Sequence, residues 1–114
     1  MRRVELPSRT IEHFGSTGFT HSRVARSGDM QVSLVELDGV IGGHEAASRQ
    51  LLVVLAGRVT CSTRDEREEL GVGEAVLWQE GEWHETRSHQ VSHLLLVEGA
   101  FAGVKRSSCT GSST

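Results

Sequence analysis

The chain has 114 residues, with 12 Lys and Arg against 15 Asp and Glu, and a formal charge of −3 at neutral pH. A chain of this length supports one core and not two, and its acidic balance, with basic residues scattered among acids, excludes nucleic acid and anionic membranes as main partners. The longest apolar run, residues 51–56, is too short to cross a bilayer, and residues 1–7 carry two arginines without the apolar stretch of a secretory signal.

In chain order, short strand-like pieces alternate with turn signals, and no stretch keeps a helical period beyond a turn or two. Residues 10–14 read as a first strand, ended by Gly15-Ser16-Thr17-Gly18. Residues 19–26 form a second, stopped by Ser27-Gly28-Asp29, and residues 30–37 a third, with Asp38-Gly39 as its terminator. Connections this short imply antiparallel hairpins. Residues 50–56 are apolar nearly throughout, so both faces of that strand need cover. One face lines the interior, and the other calls for a second sheet or a partner subunit. Gly57 breaks the run, and 58–63 continues as a strand with Val59 and Cys61 on one side. The charged stretch 64–69 reads as a solvated hairpin tip, 74–78 as a strand, 79–83 as a turn, 84–87 as the return strand and 91–98 as the last strand. The total is roughly eight to ten short strands, the pattern of an all-β barrel with little helix. A flexible N-terminus over 1–8, a single domain over 9–104 and a flexible tail over 105–114 are the expected organisation. The two cysteines are Cys61 and, in that tail, Cys109. No bridge between them is expected, and a reducing, cytoplasmic setting is the simplest reading.

Two segments carry candidate chemistry. The first runs Gly43-His44-Glu45-Ala46-Ala47-Ser48-Arg49-Gln50 into the apolar strand. On an extended chain His44 and Gln50 share a face with Leu52 and Val54, which gives a polar entrance above an apolar floor. The second runs from Gly73 through Gly81 to Trp83-His84-Glu85-Thr86, where Gly81 makes a tight turn and His84 opens the return strand. His84 and Thr86 point one way, Glu85 and Arg87 the other. Trp83 beside His84 is a candidate pocket wall, and His93 a candidate for an inward position. His13, His21 and His89 stand alone and read as surface residues, and Cys61 reads as a small buried apolar residue.

In order and spacing these segments resemble the paired motifs of the cupin superfamily. The first motif places His44 at its leading histidine, Gln50 at its glutamate and Gly57 at its closing glycine, while Ala46 stands where the second histidine belongs. Gly39 falls one residue nearer to His44 than the motif's opening glycine should. The second keeps Gly73, Gly81 and His84 in register, with Gln79 in place of proline and Ser88 in place of asparagine. The run Glu80-Gly81-Glu82-Trp83-His84-Glu85 further resembles small bacterial cupins. The resemblance covers the middle of the chain and implies a cupin-type (jelly-roll) antiparallel β-barrel, a homodimer, and a divalent metal (Zn²⁺, Ni²⁺, Fe²⁺ or Mn²⁺) held by His44, Gln50 and His84.

Leu52, Val54, Trp83, Thr86 and His93 complete the expected pocket. The residues themselves leave three readings open: a metal site acting on a small organic substrate by Lewis-acid chemistry, a metal-free pocket where the same groups contact a small ligand, and polar residues satisfied at a barrel mouth. Replacing the motif's carboxylate by an amide and its second histidine by alanine weighs against a demanding redox reaction, and no catalytic residue is assigned.

Overall fold

Alternation of inward apolar and outward polar side chains generates nine strands, and every pairing between them is antiparallel. The structure is a computed structural model and describes residues 1–102; the tail expected over 105–114, with Cys109, lies outside the described residues. The strands are β1 (Arg9–Thr10), β2 (Thr17–Ser27), β3 (Met30–Glu45), β4 (Gln50–Ala56), β5 (Val59–Ser62), β6 (Arg67–Leu70), β7 (Ala75–Trp78), β8 (Trp83–Ser88) and β9 (Ser92–Glu98). They run β6-β5-β8-β3-β9-β4-β7 through one sheet, with β2 along the other edge of β3 and β1 beside β2. The all-β, nearly closed jelly-roll barrel expected from the sequence is what forms, and among the described residues no helix is long and apolar enough to cross a membrane.

Three expectations need correction. The strand expected over 10–14 stops at Thr10, and His13–Gly15 is instead a single 3₁₀ turn with Phe14 in the left-handed region. Asp38-Gly39 does not end the third strand. β3 runs 16 residues straight through it, pairing with β9 over Gln31–Leu37 and with β8 over Val40–Glu45. A long strand shared between two partners must bend, and the bend falls where two glycines meet. A Cβ on Gly18 would strike the carbonyl of Asp38, and one on Gly39 would strike that of Thr17. Ser88 fastens the corner, accepting from the Gly39 N–H at 2.8 Å and donating to its carbonyl at 3.1 Å. The charged hairpin tip is shorter than expected, because Arg67–Leu70 already pairs with β5.

The interior is an apolar cluster that includes Phe19, Val35, Leu37, Leu52, Val54, Val59, Trp78 and Leu94. Cys61 joins it, and burial pushes its thiol up to about 11, so it is an inert core residue. β4 is apolar on both faces, as its sequence demanded. Its outward residues fall into cross-strand rows, Val32-Val97-Leu51-Leu77 and Leu34-Leu95-Val53-Ala75, spanning β3, β9, β4 and β7.

Leu37 is fully buried, whereas Val72 is 66% exposed in the turn before β7. Leu37→Ala is expected to lower the unfolding free energy by about 2–5 kcal/mol, and Val72→Ala to change it by no more than about 0.5 kcal/mol. Urea titration of the two variants measures the contrast.

Candidate functional site

The site begins with an irregularity in β3. Pairing with β8 matches Ile41 to Thr86 and His44 to His84, so β3 advances three residues where β8 advances two. The extra residue is a β-bulge at Gly42-Gly43, and it reverses the alternation of sides. In a regular strand Ile41 and His44 face opposite ways; here both line the same cavity. Both bulge positions require glycine. A Cβ on Gly42 would run into the backbone of Phe14, and one on Gly43 into the indole of Trp83.

The bulge sets four rings in succession along one wall. Phe14 stacks on His44 at 4.2 Å between centroids with 4° between planes. His44 meets His84 at 4.5 Å, and His84 meets Trp78 at 4.3 Å. Both imidazoles are oriented by main chain. His44 Nδ1 lies 2.8 Å from the Gly42 carbonyl and His84 Nδ1 lies 3.1 Å from the Glu82 carbonyl. A carbonyl oxygen only accepts, so each Nδ1 carries a proton, and in the uncharged ring the lone pair falls on Nε2. His84 is 3% exposed, and burial holds its pKa below the usual histidine value, with the His44 charge acting the same way and the Glu82 carbonyl against it.

A second row crosses the interior from β9 through β4 to β7, where register places Glu98 beside Gln50 and Gln50 beside Trp78. The Gln50 amide donates to Glu98 at 3.2 Å, which leaves the Gln50 oxygen without a protein donor among the described residues. Burial pushes the Glu98 carboxyl up, partly offset by His44. Trp78 is 2% exposed, and its indole N–H has no acceptor among the described residues. Together these rows bound a cavity of about 190 Å³.

Of the residues expected from sequence, His44, Gln50, His84, Leu52 and Thr86 line this cavity together. Three do not. Val54 is 1% exposed and packs in the core beyond the cavity. Trp83 lies on the outer side, because it neighbours an inward His84; its indole covers Gly43 and sits 4.6 Å beneath the Arg64 guanidinium. His93 follows the fully buried Ser92 and so faces outward, into a shallow external groove with Glu36, Leu34 and Leu55. The extended run through 44–50 is also interrupted, since β3 ends at Glu45 and β4 begins at Gln50. Ala46 between them is tied to the β7–β8 turn by its N–H to Glu82 at 3.0 Å and its carbonyl from Gly81 at 2.8 Å.

Sequence reasoning missed Glu98, Phe14, His13 and His21, all of which line the cavity. Glu98 was detectable: Ser92, Leu94 and Leu96 alternate inward along β9, and Glu98 continues their row. His21 sits half-buried, with its pKa lowered by burial and then by Arg9 and Arg23. Phe14 left no such signal, because its position depends on a left-handed backbone that phenylalanine rarely adopts.

As a donor set for a divalent ion the cavity is incomplete. Among the described residues no three His, Cys, Asp or Glu side chains come together to hold one. Two imidazoles and an amide oxygen carry no negative charge, and Ala46 offers no donor. These residues do not fit a resident ion of the strength that the motif pattern implies.

No protein-family model and no curated protein matches this chain. Among solved structures, it is similar to the polyketide cyclase RemF from Streptomyces resistomycificus, with a TM-score of 0.74, 22% identity, and coverage of 86% of this chain and 78% of that one. A cupin superfamily protein from Desulfitobacterium hafniense superposes with a TM-score of 0.64 at 17% identity, over 86% of this chain and 80% of that one. KdgF from a Halomonas species gives 0.64 at 21%, over 71% and 78%. At these identities the likeness shows the fold, which is that of the cupins.

His84 and Glu98 give pH effects of opposite sign. The folded pKa of His84 is lowered from 6.5, so the unfolded chain binds more protons and stability is lost as pH falls below about 6.5. That of Glu98 is raised from 4.5, so its contribution is lost as pH rises above about 4.5 through the folded value. In urea midpoints from about pH 4 to about pH 7.5, which spans the ordinary values of both groups, His84→Gln is expected to flatten the acid-side loss. Glu98→Gln, which keeps an acceptor for Gln50, is expected to gain on the parent chain as pH rises. Parallel curves for all three proteins would contradict the assignment.

Proposed function

We propose that this cupin-fold chain binds a small organic molecule inside its barrel without a resident metal, and that His44 and His84 are its principal polar contacts. The observation that carries this reading is the pair of imidazoles with fixed tautomers, set side by side on the wall of an otherwise largely apolar cavity. Pockets of this composition bind through apolar contact and orient through a few polar atoms. Each Nε2 lone pair accepts a hydrogen bond from a ligand hydroxyl or N–H, and a neutral, buried imidazole is also a proton acceptor for a bound substrate. Gln50 adds a carbonyl oxygen, and Glu98 fixes the direction of that amide.

The solved neighbours include a polyketide cyclase and KdgF, which supports a small-molecule role without choosing between catalysis and binding. A divalent ion on His44, Gln50 and His84 is the second reading. It is favoured by the same main-chain bonds, because metal-binding histidines are commonly oriented through their other nitrogen. The free, buried Cys61 accords with a reducing cytoplasm.

Elemental analysis of protein purified without a histidine tag is expected to find zinc, nickel, iron and manganese each well below one equivalent. A thermal-shift screen of small alcohols, ketones and heterocycles should yield binders, and His84→Ala should weaken them about 3- to 10-fold by calorimetry. One equivalent of metal that disappears in His84→Ala would replace this reading with the second.

The outer apolar rows across β3, β9, β4 and β7 support a homodimer, since they form a continuous surface of the kind that subunit contacts cover. Light scattering at micromolar concentration is expected to give twice the chain mass, and Leu55→Glu, at a position 46% exposed in the single chain, to give one chain mass without loss of folding.

A further inference from the structure

We propose that the pocket takes a flat, uncharged, ring-bearing molecule with a hydroxyl group, and that Phe14 is the residue that selects for flatness. This rests on the reading of the barrel as a small-molecule pocket and names the class of molecule it holds.

Shape comes from the ring series. Phe14, His44, His84 and Trp78 follow one another at 4.2, 4.5 and 4.3 Å between centroids, and all four line the cavity. The wall they form is of aromatic rings, and Ile11, Ile41, Leu52 and Leu96 supply an aliphatic part of the remaining lining, beside Phe19 and several polar groups. A flat ring stacks on the face of Phe14 that His44 leaves free and buries its other face against the aliphatic groups. A puckered saturated ring of the same size makes the aliphatic contact only.

Charge is excluded by what lines the space. Among the described residues no Lys or Arg contributes to it, so an anion finds no permanent positive partner there. Among the described residues its one carboxyl, Glu98, is already engaged by Gln50, so a cation entering there gives up its hydration to a mostly apolar lining without a free anionic partner. An uncharged guest avoids both costs. The hydroxyl follows from the two Nε2 lone pairs, which need a donor.

Phe14 stands apart from the other rings. It is 62% exposed, so it is not held by the core. Its backbone has φ 61°, which a phenylalanine adopts only under constraint. The constraint is visible. Ser16 donates to the His13 carbonyl at 2.6 Å and accepts from the Gly42 N–H at 2.9 Å, which binds the 3₁₀ turn to the bulge. Gly42, having no Cβ, admits the Phe14 carbonyl. A constrained backbone thus holds an exposed ring flat against His44 at the edge of the cavity, where it offers a face to an entering ring.

Calorimetric titration with four probes tests this: 2-naphthol, decahydro-2-naphthol, 2-naphthoate and protonated 2-(aminomethyl)naphthalene. The expected order puts 2-naphthol about 3- to 10-fold tighter than its saturated counterpart and roughly tenfold or more tighter than either ion. Phe14→Gly tests the selecting residue without endangering the fold, because glycine adopts this backbone freely. It is expected to melt no lower than the parent and to abolish the preference for 2-naphthol over the saturated alcohol. Equal or tighter binding of the saturated alcohol, tightest binding of either ion, or an unchanged preference in Phe14→Gly overturns the proposal. In each of those cases the pocket reading survives if His84→Ala weakens whichever probe binds. Failure of all four probes to bind overturns both.

Discussion

The candidate site depends on one surplus residue in a strand. Between Ile41 and His44 the β3–β8 ladder takes three residues against two, and without that surplus His44 would face solvent while Ile41 faced the interior. With it, His44 lies opposite His84 and against Phe14, and the two imidazoles become a pair. The two glycines that make the bulge are each required by a different neighbour, the turn carrying Phe14 on one side and the Trp83 indole on the other. Residues from three separate parts of the chain therefore meet because of a local departure from regular pairing. Barrels use bulges in this way to re-aim side chains near functional sites.

The electrostatic character of the interior follows from which residues the barrel turns inward. Among the described residues, four imidazoles, an amide and one carboxyl share a space walled by hydrocarbon and aromatic rings. Burial favours the uncharged forms of His84 and Glu98 alike. A site biased toward neutrality by both its acid and its base is suited to hydrogen bonding and proton exchange with organic molecules. It is less suited to holding a divalent cation, which draws much of its binding from anionic ligands.

The barrel was legible in the sequence because turn residues and period-two alternation mark strands directly. The sites of bending were not. Asp38-Gly39 has the composition of a turn, yet it lies inside a continuous strand that changes partners there. His44 and His84 were legible through motif spacing. Gln50 lines the cavity, although the parity argument that points to it runs over a segment broken by a loop. Trp83 and His93 were misplaced although each stands next to an inward residue, His84 and Ser92, whose direction fixes its neighbour's. Phe14 lay beyond any periodicity argument, because its conformation is imposed by contacts with Gly42 and Ser16, distant in sequence or specific to the turn.

The groups that orient the two imidazoles are main-chain carbonyls, those of Gly42 and Glu82. Exchange of a neighbouring side chain does not withdraw such an acceptor, and only a new course of the backbone would. The tautomers are therefore inherited with the barrel itself, independently of what surrounds them. Evolution is left free to reshape the hydrocarbon around the pair and so to change the guest, while the two nitrogens that greet it stay chemically the same.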